Sequence, residues 1–171
     1  MLLGKIAALN DFKMFVEQFE REPVDVNAID YGSPLLFRAL GNFNPKEQYE
    51  ISMFLLDRGA RADVCNGEKE GPLHILFSRP EPDYDLTMRL FRKLLENGAD
   101  VNQCDKKNRT ALHYLVIMNG TEEELMPLLE EYLAQKPKTD IKNRWGKTPQ
   151  EIAEGFKRCR LAERLRAYES V

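Results

Sequence analysis

The sequence predicts an all-α repeat solenoid, in which pairs of helices stack side by side and are joined by short, hairpin-like return loops. The first observation is a helix-start motif that recurs along the chain. Its anchor positions are Ser33, Gly71, Thr110 and Thr148. They are separated by 38, 39 and 38 residues, and a Gly-Ala pair at 59–60 returns at 98–99, again 39 residues later. Two independent anchors that share one period are typical of a stacked repeat array.

The clearest copy of the motif combines two short segments. Residues 98–102 read Gly-Ala-Asp-Val-Asn, and residues 110–113 read Thr-Ala-Leu-His. A second copy, residues 143–149, reads Asn-Arg-Trp-Gly-Lys-Thr-Pro. These segments resemble the ankyrin repeat, with its Thr-Pro-Leu-His helix start, its Gly-Ala-Asp-Val-Asn exit and its Asp/Asn-x-x-Gly-x-Thr return. The resemblance covers about residues 24–155 and implies about three full repeats between two capping repeats, but it says almost nothing about function.

One domain is expected over residues 1–171. Its expected parts are an N-terminal cap over 1–29, repeats over 30–64, 65–103 and 104–141, and a C-terminal repeat or cap over 142–171. Within the first cap, residues 2–9 and 11–20 are predicted as a helix pair because apolar residues recur there at helical spacing. Asp11 offers an N-cap for the second of these helices.

The first full repeat follows a return loop that is two residues shorter than its counterpart in the clearest copy. We therefore expect a short first hairpin. Ser33 is expected to cap the next helix, with Pro34 in its first turn, where a missing N–H is not needed. The partner helix is predicted over residues 47–58 and is ended by Gly59.

The inter-helix loops are longer than the two-residue turn usual in ankyrin repeats. Residues 41–45, 78–85 and 119–121 form these loops, and they account for a period near 38 rather than 33. In the third loop, Thr121 and Glu124 have the spacing of a capping box. Because all the loops lie at one edge of the predicted stack, they form a second variable surface.

The last unit departs from the pattern. Residues 136–139 read Lys-Pro-Lys-Thr, so a proline turn replaces the glycine exit. The unit begins at Thr148, and Leu161 and Leu165 are expected to close the array as a C-terminal cap. Its final helix is expected to end near Tyr168.

Composition and charge argue against several classes of protein. A hydrophobic content of 43% and a charged content of 31% are those of a folded chain. The net charge of −3 gives no global argument for binding nucleic acid or an anionic membrane. However, residues 142–166 carry eight Lys and Arg against three Glu, which leaves about −8 on the remainder. A basic end on an acidic body can steer a partner, although a solvated terminal helix is the plainer interpretation.

The three cysteines and the N-terminus indicate the cellular compartment in which the protein is expected. Cys65 and Cys104 occupy equivalent places in successive repeats, about 10 Å apart, which exceeds the ~7 Å Cα limit for a disulfide. Reduced thiols in a cytosol are the simplest account. Residues 1–6 do not resemble a signal peptide, and no apolar run approaches the ~18 residues of a membrane span. We therefore expect a cytoplasmic protein.

The sequence contains no clear motif for catalysis, cofactor binding or metal binding. The sequence lacks a phosphate-binding glycine loop, a His-Glu-x-x-His motif and Cys/His metal spacing, so we expect no enzyme, no cofactor and no metal. Asp83 and Asp85 leave a weak alternative as a metal or enzymatic site. The only two histidines, His74 and His113, occupy the position of the histidine in Thr-Pro-Leu-His. The resemblance implies that they bridge neighbouring return loops by hydrogen bonds.

The resemblance also indicates where a partner would bind, namely at the return-loop tips and the exposed ends of the first helices. The expected positions at the tips are Tyr31, Lys69, Lys106, Lys107, Arg109, Arg144 and Trp145, with Ala28, Ile29, Glu68 and Lys147 beside them. Those at the helix ends are Leu40, Ser78, Arg79, Ile117 and Met118. The expected structural positions are His74, His113, Gly59, Gly98, Thr110 and Thr148.

Two of these predictions leave alternatives open. Trp145 is the only tryptophan, and Trp, Tyr and Arg are the commonest interface anchors. Its ring can equally pack sideways on the neighbouring tip, against Lys106 or Arg109. Ile117 and Met118 either form an exposed apolar patch or are buried under the 119–121 loop.

The function expected from these features is that of a non-catalytic module, monomeric when unbound, that sequesters or inhibits a partner protein. An immunity protein that blocks a toxin is one concrete form, and the acidic body would suit a basic target such as a nuclease toxin. An adaptor with two binding surfaces and a self-assembling or host-directed effector scaffold are the alternatives. Neither nucleic acid nor a membrane is expected as a partner.

Overall fold

The computed structural model describes residues 7, 11–21, 23–30 and 32–169, and it is mostly helical. Over these ranges the helices are α1 (Phe12–Arg21), α2 (Leu35–Leu40), α3 (Pro45–Asp57), α4 (Pro72–Phe77), α5 (Tyr84–Glu96), α6 (Ala111–Leu115), α7 (Glu122–Leu133), α8 (Pro149–Gly155) and α9 (Cys159–Glu169). Strands β1 (Ile29–Asp30) and β2 (Ser33–Pro34) form one small antiparallel sheet. The helix predicted over 2–9 lies outside the described residues, apart from Ala7, which is helical and buried.

The helices form two rows, and each row follows the order of the chain. In the first row, helices α2, α4, α6 and α8 contact one another in succession. In the second row, α1, α3, α5, α7 and α9 do the same. The rows are joined by contacts within the pairs α2/α3, α4/α5, α6/α7 and α8/α9. Apart from α1, each helix therefore contacts its own pair partner, and each contacts an adjacent helix of its own row.

The core lies between the two rows and is made of apolar side chains that recur at helical spacing. The largest fully buried ones are Tyr132, Phe15, Phe77, Phe91, Leu36, Leu40, Ile51, Leu55, Leu73, Leu76, Leu90 and Leu94. Phe91 and Tyr132 stack with their ring centroids 5.6 Å apart. The buried hydroxyl of Tyr132 donates a hydrogen bond to the Val101 carbonyl at 2.5 Å, so its polar end is satisfied.

The start of α2 differs from the prediction for Ser33. Ser33–Pro34 forms β2, paired with Ile29–Asp30, and helix α2 begins only at Leu35. Pro34 occupies the N-cap position with φ −59° and ψ 151°, and no side chain caps the helix. Because the proline ring fixes φ at a value that extended backbone also uses, the short hairpin continues through Pro34 before the helix begins.

Polar caps end the inter-helix loops and begin the second-row helices. Asn44 caps α3 by accepting from the N–H groups of Lys46 and Glu47, so this helix starts two residues earlier than predicted. Asp83 accepts from Leu86 N at 3.0 Å and caps α5. The capping box of Thr121 and Glu124 is present at the start of α7, as predicted. Asp83 therefore has a structural role at a helix N-terminus.

The exits of the second-row helices require a left-handed backbone. Gly59 after α3 has φ 86°, and Gly98 after α5 has φ 94°. At the equivalent place after α7 stands Lys136, with φ 55°. A residue with a Cβ atom in this conformation costs roughly 1–2 kcal/mol, which glycine avoids.

We predict that Lys136→Gly raises the free energy of unfolding by about 0.5–1 kcal/mol, because relief of the left-handed strain outweighs the extra chain entropy of glycine. Urea denaturation of the two proteins measures the change. The matched control is Lys138→Gly, since Lys138 is not among the residues with positive φ. This control is expected to lose stability or stay unchanged, and an equal gain in both variants would contradict the assignment.

Candidate partner-binding surface

Three return loops fold as the same five-residue hairpin, each closed by the side chain of its first residue. These return hairpins are residues 66–70, 105–109 and 143–147, and they begin with Asn66, Asp105 and Asn143. In each, the Oδ1 atom of the first residue accepts the N–H groups two and four positions later, at 2.7–3.1 Å. The fourth residue of each is left-handed, with φ between 54° and 74°. The backbone of every tip is thus held in place by bonds within the hairpin.

Neighbouring return hairpins are also bonded to one another. Lys106 N donates to Glu68 O at 3.0 Å, and Arg144 N donates to Lys107 O at 2.8 Å. Asn108 Nδ2 donates to Lys142 O at 2.7 Å. The tips therefore form one continuous edge that is joined largely through backbone atoms.

Both histidines lie buried beneath this edge. The Nδ1 atom of His74 accepts the N–H of Gly71 at 3.0 Å, and its Nε2 lies 2.9 Å from the Arg109 carbonyl oxygen. His113 repeats the arrangement with the N–H of Thr110 at 3.0 Å and the Lys147 carbonyl at 3.3 Å. Each imidazole thus links a first-row helix start to the next return hairpin, which is the bridge expected of it.

The predicted structural positions lie at the boundaries of helices. Thr110, which is buried, precedes α6, and Thr148 precedes α8 with its hydroxyl accepting from Glu151 N at 3.3 Å. Gly59 and Gly98 occupy the left-handed exits described above. These residues determine where the helices begin and end.

A buried ionic group supports the middle return hairpin. The Asp105 carboxylate accepts from Arg109 Nε at 2.7 Å and from the Tyr114 hydroxyl at 3.0 Å. Burial of Asp105 disfavours its charged form, but the hydrogen bonds from Arg109, Tyr114 and Lys107 outweigh burial and lower its pKa. The Arg109 guanidinium also lies 4.4 Å from the centre of the Tyr114 ring. Arg109, predicted as a partner-binding residue, thus has its charge engaged inside the protein.

The remaining predicted binding residues fall into three groups. Lys69, Lys106, Lys107, Arg144 and Trp145 are exposed. Ile117 is 38% exposed, whereas Leu40 is fully buried, so the surface position predicted for Leu40 is wrong. Met118 is 3% exposed, which is the buried alternative and not the exposed patch. The physical reason is that both side chains join the core between the rows. Tyr31 lies outside the described residues.

Trp145 is 58% exposed at the tip of the return hairpin 143–147. Its ring is accompanied by the guanidinium of the adjacent Arg144, whose carbon lies 4.9 Å from the ring centre. The cation that pairs with the ring is thus supplied by the same hairpin and not by Lys106 or Arg109. A large face of the indole remains in contact with solvent.

The opposite edge is formed by the inter-helix loops. It is held together by side-chain to main-chain hydrogen bonds that were not predicted from the sequence. Arg79 donates to Gly41 O at 2.9 Å, and Arg158 donates to Met118 O at 2.6 Å. Asn119 donates to the Pro80 carbonyl. Each loop therefore reaches back to a main-chain carbonyl of the preceding loop. The donors Arg79, Asn119 and Arg158 are 39 or 40 residues apart. Their spacing matches the period of the helix-start motif, and this match could have identified them from the sequence.

A cleft of about 360 Å³ opens on this edge between the ends of α4 and α6. Ile117 and Arg79 line it, among other residues. Two further apolar side chains on this edge are largely exposed and were not predicted to be so from the sequence. They are Phe43 in the 41–45 loop and Phe156 in the connection between α8 and α9. The Arg79 guanidinium lies 4.8 Å from the Phe43 ring.

Comparison of the sequence with models of known protein families finds no match. In the part of the chain that the structure describes, no group of three or more His, Cys, Asp or Glu side chains is arranged to hold a metal ion. Across the same ranges, none of the helices has both the length and the apolar character needed to span a membrane.

We predict that Asp105→Ala lowers the free energy of unfolding by roughly 2–4 kcal/mol, because Arg109 and Tyr114 lose a buried partner and two N–H groups of the hairpin lose their shared acceptor. Chemical denaturation measures the loss. The control is Glu68→Ala, which removes the exposed ion pair with Lys106 (3.2 Å) and should cost at most about 1 kcal/mol. Equal losses in both variants would show that the buried group is not important for stability.

We predict that acidification destabilises the protein through its histidines. Burial is the main cause that lowers the pKa of both His74 and His113 below the ordinary value of 6.5. Below pH 6.5 the unfolded chain therefore binds more protons than the folded chain. The associated stability is complete above that pH and is lost as the pH falls towards the folded-state pKa, with a slope of up to about 1.4 kcal/mol per pH unit for each histidine.

Urea unfolding between about pH 7.5 and about pH 5, an interval that spans the ordinary histidine pKa, measures this slope. A His74→Gln/His113→Gln variant is expected to be less stable overall, with a flatter pH dependence in this window. The pKa of Asp105 is also lowered, from an ordinary value of 3.8. Its protonation therefore affects stability only at lower pH and does not contribute to the slope measured here. An unchanged slope in the double variant would assign the pH dependence to other groups.

Proposed function

We propose that this chain is a non-catalytic protein-binding module that sequesters or inhibits a partner protein through the tips of its return hairpins. The observation that carries the proposal is the exposed Trp145 beside Arg144, on a hairpin whose backbone is already fixed. Trp and Arg are among the residues most enriched at the energetic centres of protein interfaces. Because the tip is held before binding, association does not have to order it, which favours affinity.

We infer that the fold is a repeat solenoid of the ankyrin type. Three features support this inference: the two helix rows that follow the chain order, the three closely similar return hairpins, and the histidine bridges from one unit to the next. In a solenoid of this kind the stacking residues are buried, while the residues at the tips are free to differ between proteins.

Inhibition or sequestration is the form of binding that we favour, for example by an immunity protein that covers the active site of a toxin. A patch of about 800 Å² on each partner is enough for a stable complex. The continuous edge of hydrogen-bonded tips is a surface of the kind required. All three cysteines are free thiols, which supports a reducing compartment such as the cytoplasm.

An adaptor is the second candidate, and the inter-helix edge is the observation that favours it. An adaptor needs two separate surfaces, and this edge carries a cleft together with the exposed rings of Phe43 and Phe156. Exposed aromatic side chains on one edge are candidate contacts for a partner. One partner would then bind at the tips and another at the loops.

The test is affinity capture from a lysate of the source cells with three forms of the chain. These are the wild type, a tip variant (Trp145→Ala/Lys107→Glu) and a loop variant (Phe43→Ala/Phe156→Ala) as the matched control. All substituted residues are exposed, so each form should retain the helical circular dichroism of the wild type.

We expect one protein to be held in stoichiometric amount by the wild type and the loop variant and to be lost from the tip variant. Loss of a different protein from the loop variant would favour the adaptor. If the tip variant retains every protein that the wild type holds, the tips are not the binding surface. If none of the three forms captures a protein, the proposal of a dedicated partner fails.

A further inference from the structure

We infer that the partner segment bound at the tips is acidic, that is, a stretch of a protein rich in Asp and Glu that also carries an apolar side chain. The inference rests on the proposed function and specifies the chemistry of its partner. The surface concerned, called here the basic tip patch, consists of Lys107, Lys142, Arg144 and Lys147 around Trp145.

The basic tip patch is continuous because its residues belong to two return hairpins that are bonded to each other. Arg144 N lies 2.8 Å from Lys107 O, and the side chain of Asn108 holds the carbonyl of Lys142. The N–H groups of Trp145 and Lys147 are both bound to the same Oδ1 atom of Asn143. All five patch residues are exposed, so their side chains project from a fixed backbone into solvent.

The cations of the patch differ from their neighbours in forming no direct ion pair within the described residues. Lys106 is paired with Glu68 at 3.2 Å, and Arg109 is paired with Asp105 at 2.7 Å. Among the residues that the structure describes, no carboxylate lies within 4.0 Å of the charged nitrogens of Lys107, Lys142, Arg144 or Lys147. The protein thus neutralises the adjacent cations and leaves these four to solvent.

The acidic residues that follow the patch in the sequence are already bound within the protein. Glu151 accepts the N–H of Thr148 at 3.0 Å. Asp140 is the one acidic residue between positions 137 and 147. Glu154 interacts electrostatically with Lys147, but its carboxylate is bound by Gln150 and Arg166. The patch therefore keeps a local excess of positive charge on a chain whose net charge is −3.

This distribution reverses the partner charge expected from composition. The acidic body suggested a basic target, but the acidic excess belongs to the remainder of the chain, whereas the exposed tryptophan stands among cations. Complementary charge between two surfaces steers their encounter and disfavours wrong partners. The relevant charge is that of the binding surface, so an acidic partner segment is favoured.

A protein segment suits the patch better than a nucleic acid does. Nucleic-acid affinity grows with the number of phosphates neutralised along an extended basic surface. Here the basic surface is confined to two hairpins, and the next return hairpin along the same edge carries Glu68 and Glu70 against Lys69. A short acidic segment fits this restricted area, with one carboxylate on the planar guanidinium of Arg144 and an apolar side chain on the Trp145 ring.

The test is selection of a random 12-residue peptide library on the immobilised full chain, followed by affinity measurements on the enriched peptides. We expect enrichment of Asp and Glu together with an apolar residue. Charge reversal in Lys107→Glu/Arg144→Glu should weaken binding of these peptides about tenfold or more, the effect of two lost ion pairs and new repulsion. Raising the salt from about 0.05 M to about 0.5 M should also weaken it, because these contacts are exposed.

The matched control is Lys13→Glu/Arg89→Glu, which changes the net charge by the same amount at two exposed positions on α1 and α5. It should bind the enriched peptides within about twofold of the wild type, since charges beyond the Debye length are screened. A tenfold loss in this control as well would mean that net charge, and not the patch, governs binding, which would overturn the inference.

Three other outcomes would also overturn the inference. Enrichment of neutral or basic peptides, or of peptides indifferent to the Lys107→Glu/Arg144→Glu change, would refute the acidic segment and leave the protein-binding proposal intact. A 20-nucleotide single-stranded DNA that binds the patch more tightly than every enriched peptide would favour nucleic acid. Absence of any enriched peptide, combined with failure of the lysate capture, would refute the inference and the proposed function together.

Discussion

The edge of tips depends on one small interaction, a side-chain oxygen that accepts two backbone N–H groups of its own loop. Asn66, Asp105 and Asn143 each provide it, and the left-handed fourth residue of each hairpin follows from the same closure. Without it, those N–H groups would need water or another partner. Once the loop is closed, its outer residues point to solvent and its tip bonds to the neighbouring hairpin. In the second and third hairpins, the carbonyl of the last residue also bonds to the histidine of the preceding first-row helix.

The two edges of the molecule use different chemistry to solve the same problem of joining successive units. At the tips the joining atoms belong mainly to the backbone, and buried imidazoles reinforce them from below. At the inter-helix loops, the side chains of Arg79, Asn119 and Arg158 reach back to carbonyls of the preceding loop. Both arrangements satisfy polar groups that close packing of the two rows would otherwise isolate from water.

Periodicity and residue spacing predicted the features that depend on local sequence. They did not predict the features that depend on contacts between distant parts of the chain. The second-row helices, the capping box at Thr121 and the placement of His74 and His113 follow from residue type and interval. The start of α2 was wrong because strand pairing overrode the helix-start pattern at Ser33. Leu40 ends α2 and Met118 lies three residues after α6, and both side chains join the core, which spacing alone does not reveal. The pairing of Arg109 with Asp105 was hidden for the same reason, since it depends on burial.

The backbone bonding of the tips has a consequence for how such a protein evolves. Because Arg144 and Lys107 are joined through their main chains, their side chains can be exchanged without removing the bond that holds the edge together. Substitutions at the tips can therefore change which partner is bound while the stability of the fold is kept. The inter-helix edge lacks this freedom, since a change at Arg79 or Arg158 removes the bond itself. Relatives of this chain should thus diverge fastest at the tips and keep their donors at the loops.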